Sequence, residues 1–285
     1  MNLLLLLFIS VVWGSSFILI KRAALCFGPV SIAAYRVICG AVVILVVWVL
    51  VKRRSGFSRH HFVPLMALSL IGYVVPFVIQ PFLISRYESG FISMVVCLIP
   101  IITIMISIPM LKKLPNRYEL TGVAGGLMFL MILFKDGLER DFSVRHLMLW
   151  LLVPFCYSFG NTFVRMKFKE VEPLALSGLA LAVTGTILLP AGITLETVSV
   201  SGDFVVSASS LLVLGVASTG MATGLFYILL YRTGPVSAGM LSYVIPCVAL
   251  VWGWWDGEPI TMLQLIALAG ILGMVALAQK GAASG

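Results

Sequence analysis

Charge is scarce in this chain of 285 residues: Asp, Glu, Lys and Arg together make up 11% of it. A soluble domain carries roughly 25%. So few charges cannot cover a water-facing surface, so an ordinary soluble globule is excluded and lipid becomes the solvent for most of the exterior. No Asp or Glu lies in the middle of a long apolar run; Glu88, Glu119, Asp256 and Glu258 all stand at run ends. A bare cation would therefore find no carboxylate at mid-membrane, and proton coupling would lack its usual carrier. Histidine is limited to His60, His61 and His146, all in or beside expected loops; His60-His61, after Arg59 at an expected cytoplasmic edge, reads as solvated, with a metal site as the alternative. The five cysteines (Cys26, Cys39, Cys97, Cys156, Cys247) are scattered with no Cys-x-x-Cys pair, and read as small apolar helix residues. There is no His-Glu-x-x-His, no Gly-x-Ser-x-Gly and no phosphate-binding loop, so no enzyme activity, cofactor or metal is expected. A net charge of +8 could suggest nucleic acid. The basic residues, however, sit in short clusters such as Lys52-Arg53-Arg54, with no basic stripe interleaved with aromatics, and no nucleic-acid partner is expected.

What is present is apolar length. Hydrophobic residues make up 61% and the mean hydropathy is +1.12. A spanning helix needs about twenty mostly apolar residues. Ten runs qualify: Leu3–Ile20, Val30–Val51, Phe62–Ile84, Gly90–Leu111, Tyr118–Phe134, Leu147–Val164, Pro173–Ile193, Leu211–Tyr231, Val236–Trp254 and Met262–Ala278. The longest connection, from Glu196 to Ser210, is polar, and nowhere is there room for a soluble domain. The first run lacks a basic n-region and is followed by Lys21 and Arg22, so it reads as a retained span and not a cleaved signal. With the N-terminus inside, cytoplasmic segments hold 12 basic residues against 6 outside. That bias predicts a multi-pass protein of the inner membrane with both termini cytoplasmic.

The halves resemble each other. Phe17 and Lys21 match Phe163 and Lys167, Arg86 matches Arg232, and Pro100 matches Pro246, all 146 residues apart. Pro115 matches Pro259 and Gly126 matches Gly270, 144 apart. The expected fold is an all-α polytopic membrane protein, with ten spans as two five-helix repeats over 1–140 and 141–285. An odd number of spans per repeat makes the second copy inverted, an arrangement that places a binding site near the midplane in many transporters.

Polar and aromatic side chains supply the site candidates. Tyr73, Phe77 and Gln80 share one face of the third span, and Thr219, Thr223 and Tyr227 one face of the eighth. Trp13, Ser16, Tyr157, Asn161 and Tyr243 are further candidates for contact with a small-molecule substrate. Groups of this kind are poorly satisfied against lipid and should turn inward. They can equally serve as hydrogen-bonding glue between helices, or, for Trp13 and Tyr157, as an interfacial belt. Pro76, Pro100 and Pro246 lie within runs and are candidate hinges; static kinks are the alternative. Arg36 is the one charge clearly inside a span, about two turns in. It reads either as an anchor for substrate or helix, or, the reading preferred here, as an arginine snorkelling to the surface. Lys21 and Lys167 read as interfacial anchors. Gly122-x-x-x-Gly126 and Ala269-x-x-x-Gly273 read as close-packing scaffold faces.

Several pieces resemble the EamA-type members of the drug/metabolite transporter superfamily. They are Trp13-Gly14-Ser15-Ser16-Phe17 with Lys21, Arg36, Pro235-x-x-Ala238, Tyr243-x-x-Pro246, Gly257-Glu258-Pro259-Ile260-Thr261 and Gly270-x-x-Gly273. The chain departs from the pattern at Lys112-Lys113-Leu114-Pro115, where a Gly-Glu pair is usual, and at Phe159-Gly160-Asn161, where a Trp is usual. The resemblance implies ten helices around a central cavity lined by the first, third, fourth, sixth, eighth and ninth, and often export of amino acids or related metabolites. Export of a small amphiphilic metabolite by alternating access is thus the expected function. The alternatives are a transporter of a quaternary amine, a sugar or a nucleotide conjugate, and a membrane scaffold that transports nothing.

Overall fold

The computed structural model describes residues 2–51, 54–111, 117–138, 142–200, 203–239 and 241–283. The Lys112-Lys113-Leu114-Pro115 departure lies outside the described residues. The described chain is helical, with no strand. Its helices are α1 (Asn2–Ala23), α2 (Pro29–Val51), α3 (Arg59–Ile84), α4 (89–111), α5 (Arg117–Leu138), α6 (Val144–Lys167), α7 (Pro173–Leu195), α8 (Phe204–Thr233), α9 (Leu241–Trp255, after a short turn Pro235–Ala238) and α10 (Met262–Ala283). Seven of them (α1, α2, α3, α4, α6, α7 and α8) are long and apolar enough to cross a bilayer. The other three carry shorter apolar stretches, Leu120–Phe129, Leu241–Trp255 and Met262–Met274. Many large apolar side chains face outward, among them Val46, Leu50, Met128, Leu212 and Trp254, as expected where lipid is the solvent.

Helix packing repeats. α2 packs on α7 and α5 on α10; α1 packs on α9 as α6 does on α4, and α2 on α8 as α7 does on α3. Exchanging each helix with the one five places on leaves this pattern unchanged. A rare feature is also duplicated. α3 widens into a π-helical turn at Leu70–Val74, and α8 does so at Leu214–Met221, starting 144 residues later. Such turns bend a helix and recur at functional sites.

Several boundaries differ from the sequence expectation. α8 begins seven residues before Leu211, inside the expected polar loop. Ser207 makes this possible by donating its hydroxyl to the Arg22 carbonyl at 2.9 Å. Glu196, also expected in that loop, accepts the Val30 and Ser31 amides at 3.0 and 2.7 Å and so caps α2. Asp136, expected in an outer loop, is buried near the end of α5 and accepts from Thr261 and Gln264 at 2.6 and 3.2 Å. His61, expected at the solvated edge, is buried against Phe168. Of the expected scaffold faces, the one in α5 packs closely: Gly122 and Gly126 are buried, and Gly126 admits Ile101 of α4. Ala269 and Gly273 are exposed, and it is Gly125 and Gly270 that admit Met274 and Phe129 between α5 and α10.

One end of the bundle is closed by charge. Lys21 Nζ lies 2.6 Å from Asp256 and 2.8 Å from Glu258, and Arg22 also pairs with Asp256. Lys21 is thus an ion-pair partner and not a free interfacial anchor. Glu258 is buried and accepts three more bonds at 2.9 Å, from the Ser89 amide and hydroxyl and the Gly90 amide at the start of α4. A Cβ at Gly253 would collide with its carboxylate, so only glycine leaves room for the clamp. Gly257, at φ 81°, makes the turn that aims Glu258 inward. Beside it Phe91 stacks on Trp150 at 4.9 Å, with Phe142 edge-on to both.

Glu258→Ala removes four hydrogen bonds at once and strands buried amides. It should cost about 2–4 kcal/mol, read as a lowered melting temperature in detergent. Burial raises the Glu258 and Asp256 carboxyls, but hydrogen bonds from Lys21, joined by the Ser89 and Gly90 amides at Glu258 and by Arg22 at Asp256, outweigh it, and both sit below their ordinary values of 4.5 and 3.8. A lowered folded-state value means the clamp contributes fully above the ordinary values and is lost as pH falls below them. The melting temperature of the wild type should therefore drop more steeply below pH 4.5 than that of Glu258→Gln.

Candidate functional site

A cavity of about 110 Å³ lies between the two repeats. Of the residues predicted to contact substrate, Trp13, Ser16, Tyr73, Gln80, Tyr157, Asn161, Thr223 and Tyr227 line it. They come from α1, α3, α6 and α8, and α4 and α9 add Ile99 and Ile245. Tyr243 is the exception; it is half-buried behind its neighbour Ser242, which does line the cavity.

Most of the polar wall is tied across the boundary between repeats. The Tyr73 hydroxyl donates to that of Tyr227 at 2.7 Å. The Trp13 indole donates to the Ser218 carbonyl at 2.9 Å and its ring packs on Phe226 at 4.9 Å. Tyr157 donates to Gln80 Oε1 at 3.2 Å, and the Gln80 amide nitrogen has no acceptor among the described residues. The Ser16 hydroxyl turns back to the Trp13 carbonyl of its own helix. Asn161 and Thr223 make no side-chain hydrogen bond with the described protein, and so remain open to a guest. Helix glue and cavity lining are therefore not alternatives here, because the same tyrosines do both.

The π-turns explain how both stripes reach one cavity. In α8 the Thr219 hydroxyl donates to the Leu214 carbonyl five residues back, at 3.0 Å. That bond turns Thr219 toward α2, where Gly40 leaves space; a Cβ there would lie 2.8 Å from the Thr219 methyl. Thr219 accordingly faces Arg36 and not the cavity. Pro76 and Pro100 sit at the second position of the α-helical pieces that follow the π-turn of α3 and a 3-10 turn at Met94–Leu98 of α4. Each proline lacks the amide that an unbroken helix would use there, and the loss falls just after the π-turn in α3 and the 3-10 turn in α4. Pro246 does lie inside its helix.

Arg36 does not snorkel to the surface as expected. It is 4% exposed and belongs to the cavity wall. Its Nε donates to Thr219 Oγ1 at 3.0 Å, and its guanidinium carbon lies 4.3 Å from the centroid of the Phe77 ring. Among the described residues it is the only charged one lining the cavity. Position alone could not choose between inward and outward, because both readings fit an arginine two turns from a helix end.

The sequence has known relatives. The model of the EamA-like transporter family matches residues 1–135 and again 145–278. An uncharacterized transporter of Bacillus subtilis, YoaV, is 24% identical over 248 residues, covering 86% of this chain and 85% of that one. An uncharacterized transporter of Archaeoglobus fulgidus is 23% identical over 261 residues, 91% of each. A solved crystal structure superposes with a TM-score of 0.70 at 17% identity, covering 97% of this chain and 96% of that one; it shows the same fold. With two matches spanning nearly its whole length, the chain belongs to the EamA-like transporter family.

Proposed function

We propose that this membrane transporter exports a small amphiphilic metabolite, an amino acid or related compound, by alternating access. The observation that carries the reading is a cavity at the seam of two like repeats, clamped at one end by ion pairs. Its wall reaches toward the other end through Ala238 to Ile245, where α9 begins. All ten helices cross the membrane, and the repeats, 1–140 and 141–285, lie inverted. With the N-terminus cytoplasmic in the inner membrane, the clamp is the periplasmic gate and the cavity loads from the cytoplasm. Trp13, Tyr73, Tyr157 and Tyr227 hold the apolar part of the solute; Ser16, Gln80, Asn161 and Thr223 hydrogen-bond its polar part. Parting of Lys21 from Asp256 and Glu258, with flexing at the π-turns and near Pro76, Pro100 and Pro246, opens the far side.

Counterflow in proteoliposomes tests the reading with a panel of amino acids, nucleosides and amines. At least one solute should exchange, and Gln80→Leu and Trp13→Ala should each cut its flux about tenfold, the scale of one or two lost hydrogen bonds. Flux unchanged in both variants would rule out the site, and no flux of any solute would rule out transport of these classes.

A further inference from the structure

Arg36 stands in the cavity wall without an anion. Among the described residues every ion pair joins Lys21 or Arg22 to Asp256 or Glu258, and no Asp or Glu lines the cavity. Its two partners, the Thr219 hydroxyl and the Phe77 ring, are neutral. A hydroxyl dipole and a ring quadrupole offset part of the cost of desolvating a cation, but they do not neutralise it. Arginine does not escape by losing its proton. Nη1 meanwhile is buried with no hydrogen-bond partner. A charge kept at such cost inside a membrane, with a donor unmet, fits a group that a guest completes.

We infer that the cavity takes a small monocarboxylate, its anion paired with the Arg36 guanidinium and its apolar part against Phe77, Phe226 and Ile99. This rests on the transport reading and names its substrate class. One guanidinium matches one negative charge. A phosphate dianion would leave a second charge unmet, and an organic cation would face Arg36 with no carboxylate to hold it. The planar donor fork suits a carboxylate. An apolar cavity of about 150 Å³ accepts benzene, so the 110 Å³ here suits only a compact solute.

Three probes share one branched skeleton and differ in charge: isovalerate, isovaleramide and isoamylamine. Calorimetric titration into the purified full chain should show isovalerate binding, isovaleramide at least about tenfold weaker and isoamylamine not at all. Arg36→Gln should erase the preference for acid over amide; Arg36→Lys should keep it with weaker binding. Without ligand, Arg36→Gln should melt no lower than the wild type, because it removes an uncompensated charge; a purely structural arginine would give the opposite. Equal binding of acid and amide by the wild type, no binding of isovalerate, or an unchanged preference in Arg36→Gln overturns the inference, and the first two need no variant. Flux separates it from the wider reading. Isovalerate that binds through Arg36 but never crosses a proteoliposome membrane sinks transport and leaves the site. Amine flux without isovalerate binding does the reverse.

Discussion

Inside a hydrocarbon solvent no water is at hand to satisfy a hydroxyl, an amide or a guanidinium, and in this chain such groups meet one another across the seam between the repeats. Tyr73 reaches Tyr227, Trp13 reaches Ser218, Gln80 receives Tyr157, and Arg36 reaches Thr219. These bonds hold the two halves in register around a cavity, because apolar packing alone gives little direction where lipid is as apolar as leucine. Arg36 is the exception that shapes the rest. Among the described residues its charge has dipoles around it but no counter-ion, which the inferred guest anion would supply.

The clamp at Lys21 differs in kind. It is an ion-pair cluster near an end of the bundle, where Lys21 and Arg22 keep partial exposure. Glu258 is its hub, holding the beginning of α4 and the end of α1 together. Thr261, three residues on, ties α5 through Asp136. One short turn thus fastens three helices. The pairs of Lys21 and Arg22 with Asp256 stand near water and part at modest cost, whereas Glu258 is buried and holds more firmly. The seam bonds would then set the hinge line and the clamp the latch.

Much of this was legible in the residues. Apolar run length marked the helices, offset matches marked the repeat, and the tendency of polar side chains to turn inward gathered most of the site candidates on one wall. What escaped was cooperative. Nothing in Leu70–Val74 or Leu214–Met221 announces a π-turn, since a π-turn is decided by which carbonyl wins an amide and not by composition. Glu258 lay within a motif matched to the family, but its role depends on Gly253, Ser89 and Lys21, which are far apart in the chain. Glu196 as the cap of α2 and Asp136 as a buried acceptor were hidden for the same reason. Arg36 could not be oriented from its depth alone; its direction follows from Gly40 and Thr219, which let α2 and α8 approach.

The most direct test of the central claim is a structure of the full chain determined with isovalerate bound. The account places a carboxylate oxygen within hydrogen-bonding distance of the Arg36 guanidinium, with the aliphatic end toward Phe77 and Phe226. Ligand seated elsewhere, or an Arg36 side chain turned out of the cavity toward the membrane surface, would contradict it.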